Sequence, residues 1–200
     1  LDDIYKQDYP RDKLEIIVID SASDDGTPEL VRYWAENHSD LNLKLVQEFV
    51  RRGKAHALNH ALKHVSKDTE IVLITDVDAW WPNKNTLKEA MKWLADPQVG
   101  TVSCLKKPLD KGLAEVEEEY RNYYNTLRLA ESKAWATPIF HGELAAFKKN
   151  LLHKLGGFPT HIGADDSHTA TRIALAGYRA VMPENVLCIE TIPRRNYHAW

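Results

Sequence analysis

The stretch VLITDVDAWWP, residues 72–82, decides how this chain folds. An apolar run stops at two carboxylates, Asp76 and Asp78, with only Val77 between them, and Trp80, Trp81 and Pro82 follow. Like charges so close together repel each other, so a strand end that carries both expects something positive. The run EIVLIT (70–75) has no polar alternation, which suits a strand covered on both faces. Reading outward, LEIIVID (14–20) has the same form and also ends in an acid, Asp20. LKLVQ (43–47) and VGTVSC (99–104) are further strand candidates.

Helical patterns separate these runs. In the segment after Asp20, Thr27 is the expected N-cap, with Pro28 at the first helical position. GKAHALNHALKHV (53–65) spaces Leu58, Ala61, Leu62 and Val65 along one face, and NTLKEAMKWLAD (85–96) is amphipathic. Strand–helix alternation predicts a mainly parallel α/β sheet. Ligands of such sheets bind outside the carboxyl ends of the strands, where Asp20, Asp76 and Asp78 all lie. After Cys104 the rhythm changes: residues 111–136 read as one long polar helix rich in aromatics. GELAAFKK (142–149), YRAVM (178–182) and VLCIE (186–190) are expected strands, and SHTATRIALAG (167–177) a helix stopped by Gly177.

The composition bounds the function. The 200 residues are 44% hydrophobic and 28% charged, enough for a real core. A net charge of -3 offers no basic surface to nucleic acid. No stretch approaches the length of a membrane span. Cys104 and Cys188 form no C-x-x-C and are expected as reduced, buried thiols. The chain opens on Leu1 and on residues that read like a helix end, which gives it the look of a piece of something longer.

The candidate chemistry is carboxylate and lysine chemistry. Asp76-x-Asp78 offers hard oxygen donors to Mg²⁺ or Mn²⁺, although a turn that favours Asp explains a lone D-x-D equally well. Gly53-Lys54 opens a helix and offers an anion site, or simply a solvated lysine. Asp165 and Asp166 adjoin a helix start; capping accounts for one acid, and a general base for the other. His56, His60 and His64 make a row better read as a polar stripe than as a metal face, and His168 and His198 are better placed for a site.

Taken in order, IIVIDSASDDGT (16–27), RRGKAHALNHAL (51–62), VLITDVDAWWP, GELAAFKKNLLHKLGGF (142–158) and GADDSHTATRIALAGYR (163–179) resemble the family-2 inverting nucleotide-sugar glycosyltransferases of GT-A fold. The resemblance implies a single α/β domain: a Rossmann-like, mixed, mainly parallel sheet flanked by helices, truncated at both ends. Residues 1–104 would form its nucleotide-binding half and 105–200 its acceptor half. It implies that Asp20 contacts the base, that Lys54 borders the donor, that Asp76 and Asp78 hold the metal and diphosphate, that Gly142 and Asp165 lie on the acceptor side, and that Asp166 is the catalytic base. Ser21 stands where the family often has a second Asp, and Asp165 where it has Glu. The implied partners are a divalent cation, Mn²⁺ or Mg²⁺, a UDP-sugar donor, and a glycan or lipid-linked acceptor. Relatives of this shape often continue into membrane helices. The expected location is therefore cytoplasmic, at the membrane face where such segments exist outside this chain. RRNYHAW (194–200) stops where a Q-x-x-R-W motif would begin. The competing readings are a catalytically defective module that binds nucleotide or glycan, and a phosphatase-like D-x-D enzyme. Ala79 and Trp80 after Asp78 depart from the D-x-D-G-T of the latter.

Overall fold

The computed structural model describes residues 1–108 and 114–190. The elements are α1 (Asp2–Tyr5), β1 (Glu15–Ser21), α2 (Thr27–Asn37), β2 (Asn42–Glu48), α3 (Lys54–Ala61), β3 (Ile71–Ile74), α4 (Thr86–Leu94), β4 (Val99–Ser103), β5 (Leu105–Pro108), α5 (Ala114–Ala134), β6 (Ala145–Lys148), α6 (Lys149–Lys154), α7 (Asp165–Leu175), β7 (Arg179–Val181) and β8 (Leu187–Glu190). The expected α/β architecture of mixed sheets flanked by helices is the one observed. β1 and β2 pair in parallel, as do β4 with β7 and β5 with β8. β6 runs antiparallel to both of its neighbours, in the order β3-β6-β4-β7.

That order has a consequence for the site. β6 comes from the later part of the chain, yet it lies between β3 and β4 of the earlier part. The residues just before β6 are thereby carried to the carboxyl end of β3, where Asp76 and Asp78 sit. The sequence of β6 permits this because it is apolar on both faces. Leu144 and Ala146 enter a core with Trp81, Leu87, Ala90 and Leu94 beneath α4. Ala145 and Phe147 enter a second core with Leu151, Leu152, Ala170 and Ile173 beneath α6 and α7. Alternating side chains thus feed opposite faces.

Three expectations shift in detail. The cap of α2 is Gly26, in the left-handed region at φ 84°, and Thr27 is the first helical residue. Asp25 supplies the capping oxygen, accepting bonds from the Thr27 amide at 3.0 Å and the Thr27 hydroxyl at 2.6 Å. Asp165 and Asp166 do not precede α7 but form its first turn. β5, LKKP, has no strand signature in the sequence; its edges are satisfied by β8, a partner some eighty residues away in the chain. Cys104 and Cys188 are free, buried thiols in the core beneath α4, as expected. Burial, then a hydrogen bond with Cys188, pushes the Cys104 thiol well above its ordinary pKa.

The pairing of β4 with β7 slips at Gly100. A Cβ there would lie 2.5 Å from Ile173 Cγ2, 2.8 Å from Tyr178 Cβ and 2.9 Å from Leu151 Cδ1. Three packed neighbours cannot all retreat, so Gly100→Ala should destabilise the fold by about 1–3 kcal/mol. Urea unfolding checks this: an unchanged midpoint would mean that the core yields at this point.

Candidate functional site

β3 ends at Ile74 because the next residues bond sideways rather than along the sheet. Thr75 Oγ1 donates to the Glu143 carbonyl at 2.8 Å, and the Asp76 amide donates to the Gly142 carbonyl at 2.9 Å. Trp81 is buried and its indole N–H also reaches the Glu143 carbonyl, at 3.1 Å. The chain between these anchors is pushed outward. Val77 and Asp78 are exposed, and no partner of Asp78 is found among the described residues.

Lys54 begins α3, after Gly53 at φ 97°. Its Nζ lies 2.5 Å from Asp76 Oδ1. Burial works against this charge, but the hydrogen bond and attraction of Asp76, with Asp165 and Asp166 adding, raise the Lys54 pKa overall. Gly142 fits against this pair. A Cβ at Gly142 would lie 2.7 Å from Lys54 Nζ and 3.1 Å from Asp76 Cγ, so only glycine leaves room.

The acid pair enters from α7. Its cap, Ala164, is a non-glycine residue at φ 59°, a strained conformation of the kind that clusters at functional sites. Ser167 Oγ accepts from the Phe140 amide at 2.9 Å and fastens this turn beside the Gly142 segment. Asp166 is buried and Asp165 Oδ2 is a buried oxygen without a hydrogen-bond partner. A helix N-terminus favours the ionised form of an acid in its first turn. The Asp166 pKa is nevertheless raised: burial outweighs the Ser167 amide bond, and the Asp165 charge adds to the rise while Lys54 opposes it.

Asp20, the next-to-last residue of β1, is buried; its Oδ2 accepts from the Ser23 amide at 3.4 Å. Ala22 beyond it is the second non-glycine residue at positive φ, 55°. Ser21 turns to Glu48 (2.7 Å), and Arg51 bonds the carbonyls of Ser21 (2.9 Å) and Ala22 (3.2 Å), tying the loop after β2 to the end of β1. The structure therefore brings Lys54, Asp76, Gly142, Asp165 and Asp166 to one place and sets Asp20 at a neighbouring strand end. The histidine row is no metal face: His60 pairs with Glu48 at 3.3 Å and meets His64 edge-on, and no group of three metal-ligating side chains occurs among the described residues. His168 lies within α7; His198 and the segment 194–200 fall outside the described residues.

Reading the sequence alone missed Arg51, His141, Glu143 and Lys106. A basic pair before Gly53 was the available signal for Arg51. Nothing in the sequence distinguished the other three, which matter through their tertiary neighbours.

The fold and this crevice define the class: an α/β domain of GT-A type with strand-end acids. The chain belongs to glycosyl transferase family 2, whose sequence profile matches residues 1–156. It is 64% identical to a solved structure of the mannosyltransferase PcManGT from Pyrobaculum calidifontis in complex with GDP-Man and Mn²⁺. The match has a TM-score of 0.88 and covers 100% of this chain and 54% of that one. S. aureus TarS 1–349 in complex with UDP shares the fold at a TM-score of 0.70 and 22% identity, over 96% of this chain and 55% of that one. The poly-beta-1,6-N-acetyl-D-glucosamine synthase of Staphylococcus epidermidis is 26% identical over 203 residues, 100% of this chain and 48% of that protein. The chain thus spans about half the length of the curated relatives it matches.

His141 carries a pH prediction. Burial first, then the charges of Lys106, Arg121 and Arg128, lowers its pKa from 6.5 to about 3. A depressed base stabilises the fold above its unfolded pKa, and that contribution is lost as pH falls through the window from about 6.5 to 3, by at most about 1.4 kcal/mol per pH unit. Comparing urea unfolding of the parent and His141→Gln between pH 7.5 and 4.5 should show a shallower acid loss in the variant. Parallel curves would contradict a neutral, half-buried imidazole.

Proposed function

We propose that the chain is the catalytic domain of an inverting, metal-dependent glycosyltransferase that moves mannose from GDP-mannose to an acceptor hydroxyl. The observation that carries this reading is the convergence of Lys54, Asp76, Gly142 and the Asp165–Asp166 pair at the carboxyl end of β3. The family resemblance implied uridine as the base. The GDP-Man bound to a relative of 64% identity supports guanosine instead.

The residues present fit a divalent cation. Asp76 and Asp78 offer hard oxygens from one strand end, and exposed Asp78 has no competing partner among the described residues. The small number of protein ligands suits Mn²⁺ or Mg²⁺, which keep positions for water and phosphate oxygens. Bound there, the cation supplies fixed positive charge against the diphosphate as it leaves.

The chain's own groups do the rest. Asp20, buried at the end of β1, accepts a hydrogen bond from the base. Lys54, held by Asp76 and kept cationic, faces the diphosphate. Gly142, with no side chain, leaves room for that Lys54–Asp76 pair beside the acceptor side. The acceptor oxygen attacks the anomeric carbon from the side opposite the diphosphate, the carbon–oxygen bond to the diphosphate breaks, and its electron pair leaves with that group. Asp166 takes the acceptor proton. Its raised pKa makes it a stronger base than an ordinary carboxylate, which suits that task.

A thermal-shift series with GDP, GDP-mannose, UDP and a UDP-sugar, with and without Mn²⁺, tests the donor. A matched nucleotide at about 100 times its Kd adds roughly 2.7 kcal/mol of stability. GDP with Mn²⁺ should give the largest shift, and Asp78→Ala should lose the Mn²⁺-dependent part while still folding. Equal responses to every nucleotide would sink the assignment. Asp166→Asn should keep donor affinity and lower transfer by about 10²–10⁴-fold. Near-normal transfer by that variant, beside a dead Asp165→Asn, would move the base to Asp165.

A further inference from the structure

The turn bearing Asp76 and Asp78 is held from two sides. On one side are the backbone carbonyls of Gly142 and Glu143, which accept from the Asp76 amide at 2.9 Å, Thr75 Oγ1 at 2.8 Å and Trp81 Nε1 at 3.1 Å. On the other is β8. Trp80 pairs with Ile189, the Ile189 amide donating to the Trp80 carbonyl at 2.8 Å and the Trp80 amide to the Ile189 carbonyl at 3.4 Å. β8 is in turn seated on β5, with Cys188 opposite Lys106. Lys106 Nζ lies 2.5 Å from Glu143 Oε1. This contact links the two holders to each other: Glu143 to Lys106, across to β8, back through Ile189 to Trp80, and from Trp81 to Glu143 again.

Stability is a poor reason for such a link. Glu143 is 8% exposed and its Oε2 is buried with no hydrogen-bond partner. A buried ion pair with an unsatisfied oxygen is commonly no better for folding than apolar side chains of the same size. What the pair does have is position. It is a polar side-chain contact between the two holders of the turn, beside the packing of Leu144 with Cys188 and the Cys104 amide bond to the Leu144 carbonyl at 3.3 Å. Each backbone bond on the turn fixes one point of it; the Lys106–Glu143 contact fixes those points relative to one another. A misplacement of about 1 Å at a reacting centre costs about 100-fold in rate, so this stiffness has a functional value that the unsatisfied oxygen lacks in folding terms.

We infer that Glu143 and Lys106 are positioning residues, an ion pair of buried Glu143 and half-buried Lys106 that sets the geometry of the Asp76–Asp78 turn for cation and diphosphate. The inference rests on the proposed function for its ligands, but not for its first readout. Amide hydrogen exchange of residues 76–81 needs no ligand. Glu143→Gln should speed that exchange locally, weaken Mn²⁺ binding measured with GDP present by about tenfold or more, and lower turnover by about 10- to 100-fold. Lys106→Arg, which keeps the charge, should stay within about threefold of the parent. The paired change Lys106→Met with Glu143→Leu leaves no buried charge. It should melt at or above the parental temperature and still bind Mn²⁺ and GDP weakly. Parental exchange rates and parental Mn²⁺ affinity in Glu143→Gln would overturn the inference. If that variant does not fold, the paired variant decides in the same way, and unfolding of both would assign the pair to stability and overturn it too. If the parent binds no nucleotide with Mn²⁺, the proposed function fails, and the exchange rates still decide the role of the pair.

Discussion

Everything at this crevice depends on how closely the backbone at Gly142 approaches Asp76. The amide-to-carbonyl bond at 2.9 Å ties the end of β3 to the segment before β6. The missing side chain at Gly142 is what lets Lys54 and Asp76 pair in the space beside it. A methyl group there would press on both charged atoms. Neighbouring residues of the same segment carry the rest: Phe140 is stitched to Ser167 at the start of α7, His141 to Ser103 at the end of β4, and Glu143 to Thr75 and Trp81. Four consecutive residues, 140–143, therefore hold the end of β3, the end of β4 and the start of α7 in one frame.

The charges collected here have opposite effects on folding and on chemistry. Burial and a neighbouring carboxylate raise the Asp166 pKa, so its ionised form is disfavoured in the fold. Lys54 is drawn the other way, toward the cation, by the acids around it. Strained backbone at Ala22 and Ala164, the two non-glycine residues at positive φ among the described residues, brackets the same region. The proposed transfer calls for groups whose environments push their protonation in different directions.

Much of this was legible in the residues. The apolar runs ending in Asp20 and in Asp76-x-Asp78 marked strand ends, because an uninterrupted apolar run must be covered and an acid at its end must not be. Glycines before Lys54 and after His141 were marked by the order of the motifs. The α2 cap fell one residue before Thr27 because Asp25 Oδ1 accepts from both the Thr27 amide and the Thr27 hydroxyl, which turns that hydroxyl away from capping, a choice made by local geometry rather than residue type.

The sequence by itself determined the alternation of strands and helices, the acids at the strand ends and the family these residues belong to, since each is a property of local periodicity or motif order. Only the tertiary structure decided that β6 lies between β3 and β4, that LKKP is a strand because β8 lies beside it, and that Lys106 meets Glu143. It also decided that Asp166 is raised rather than lowered in pKa. These depend on pairings between distant segments and on burial, and a residue's neighbours across a sheet leave no mark on its own stretch of chain.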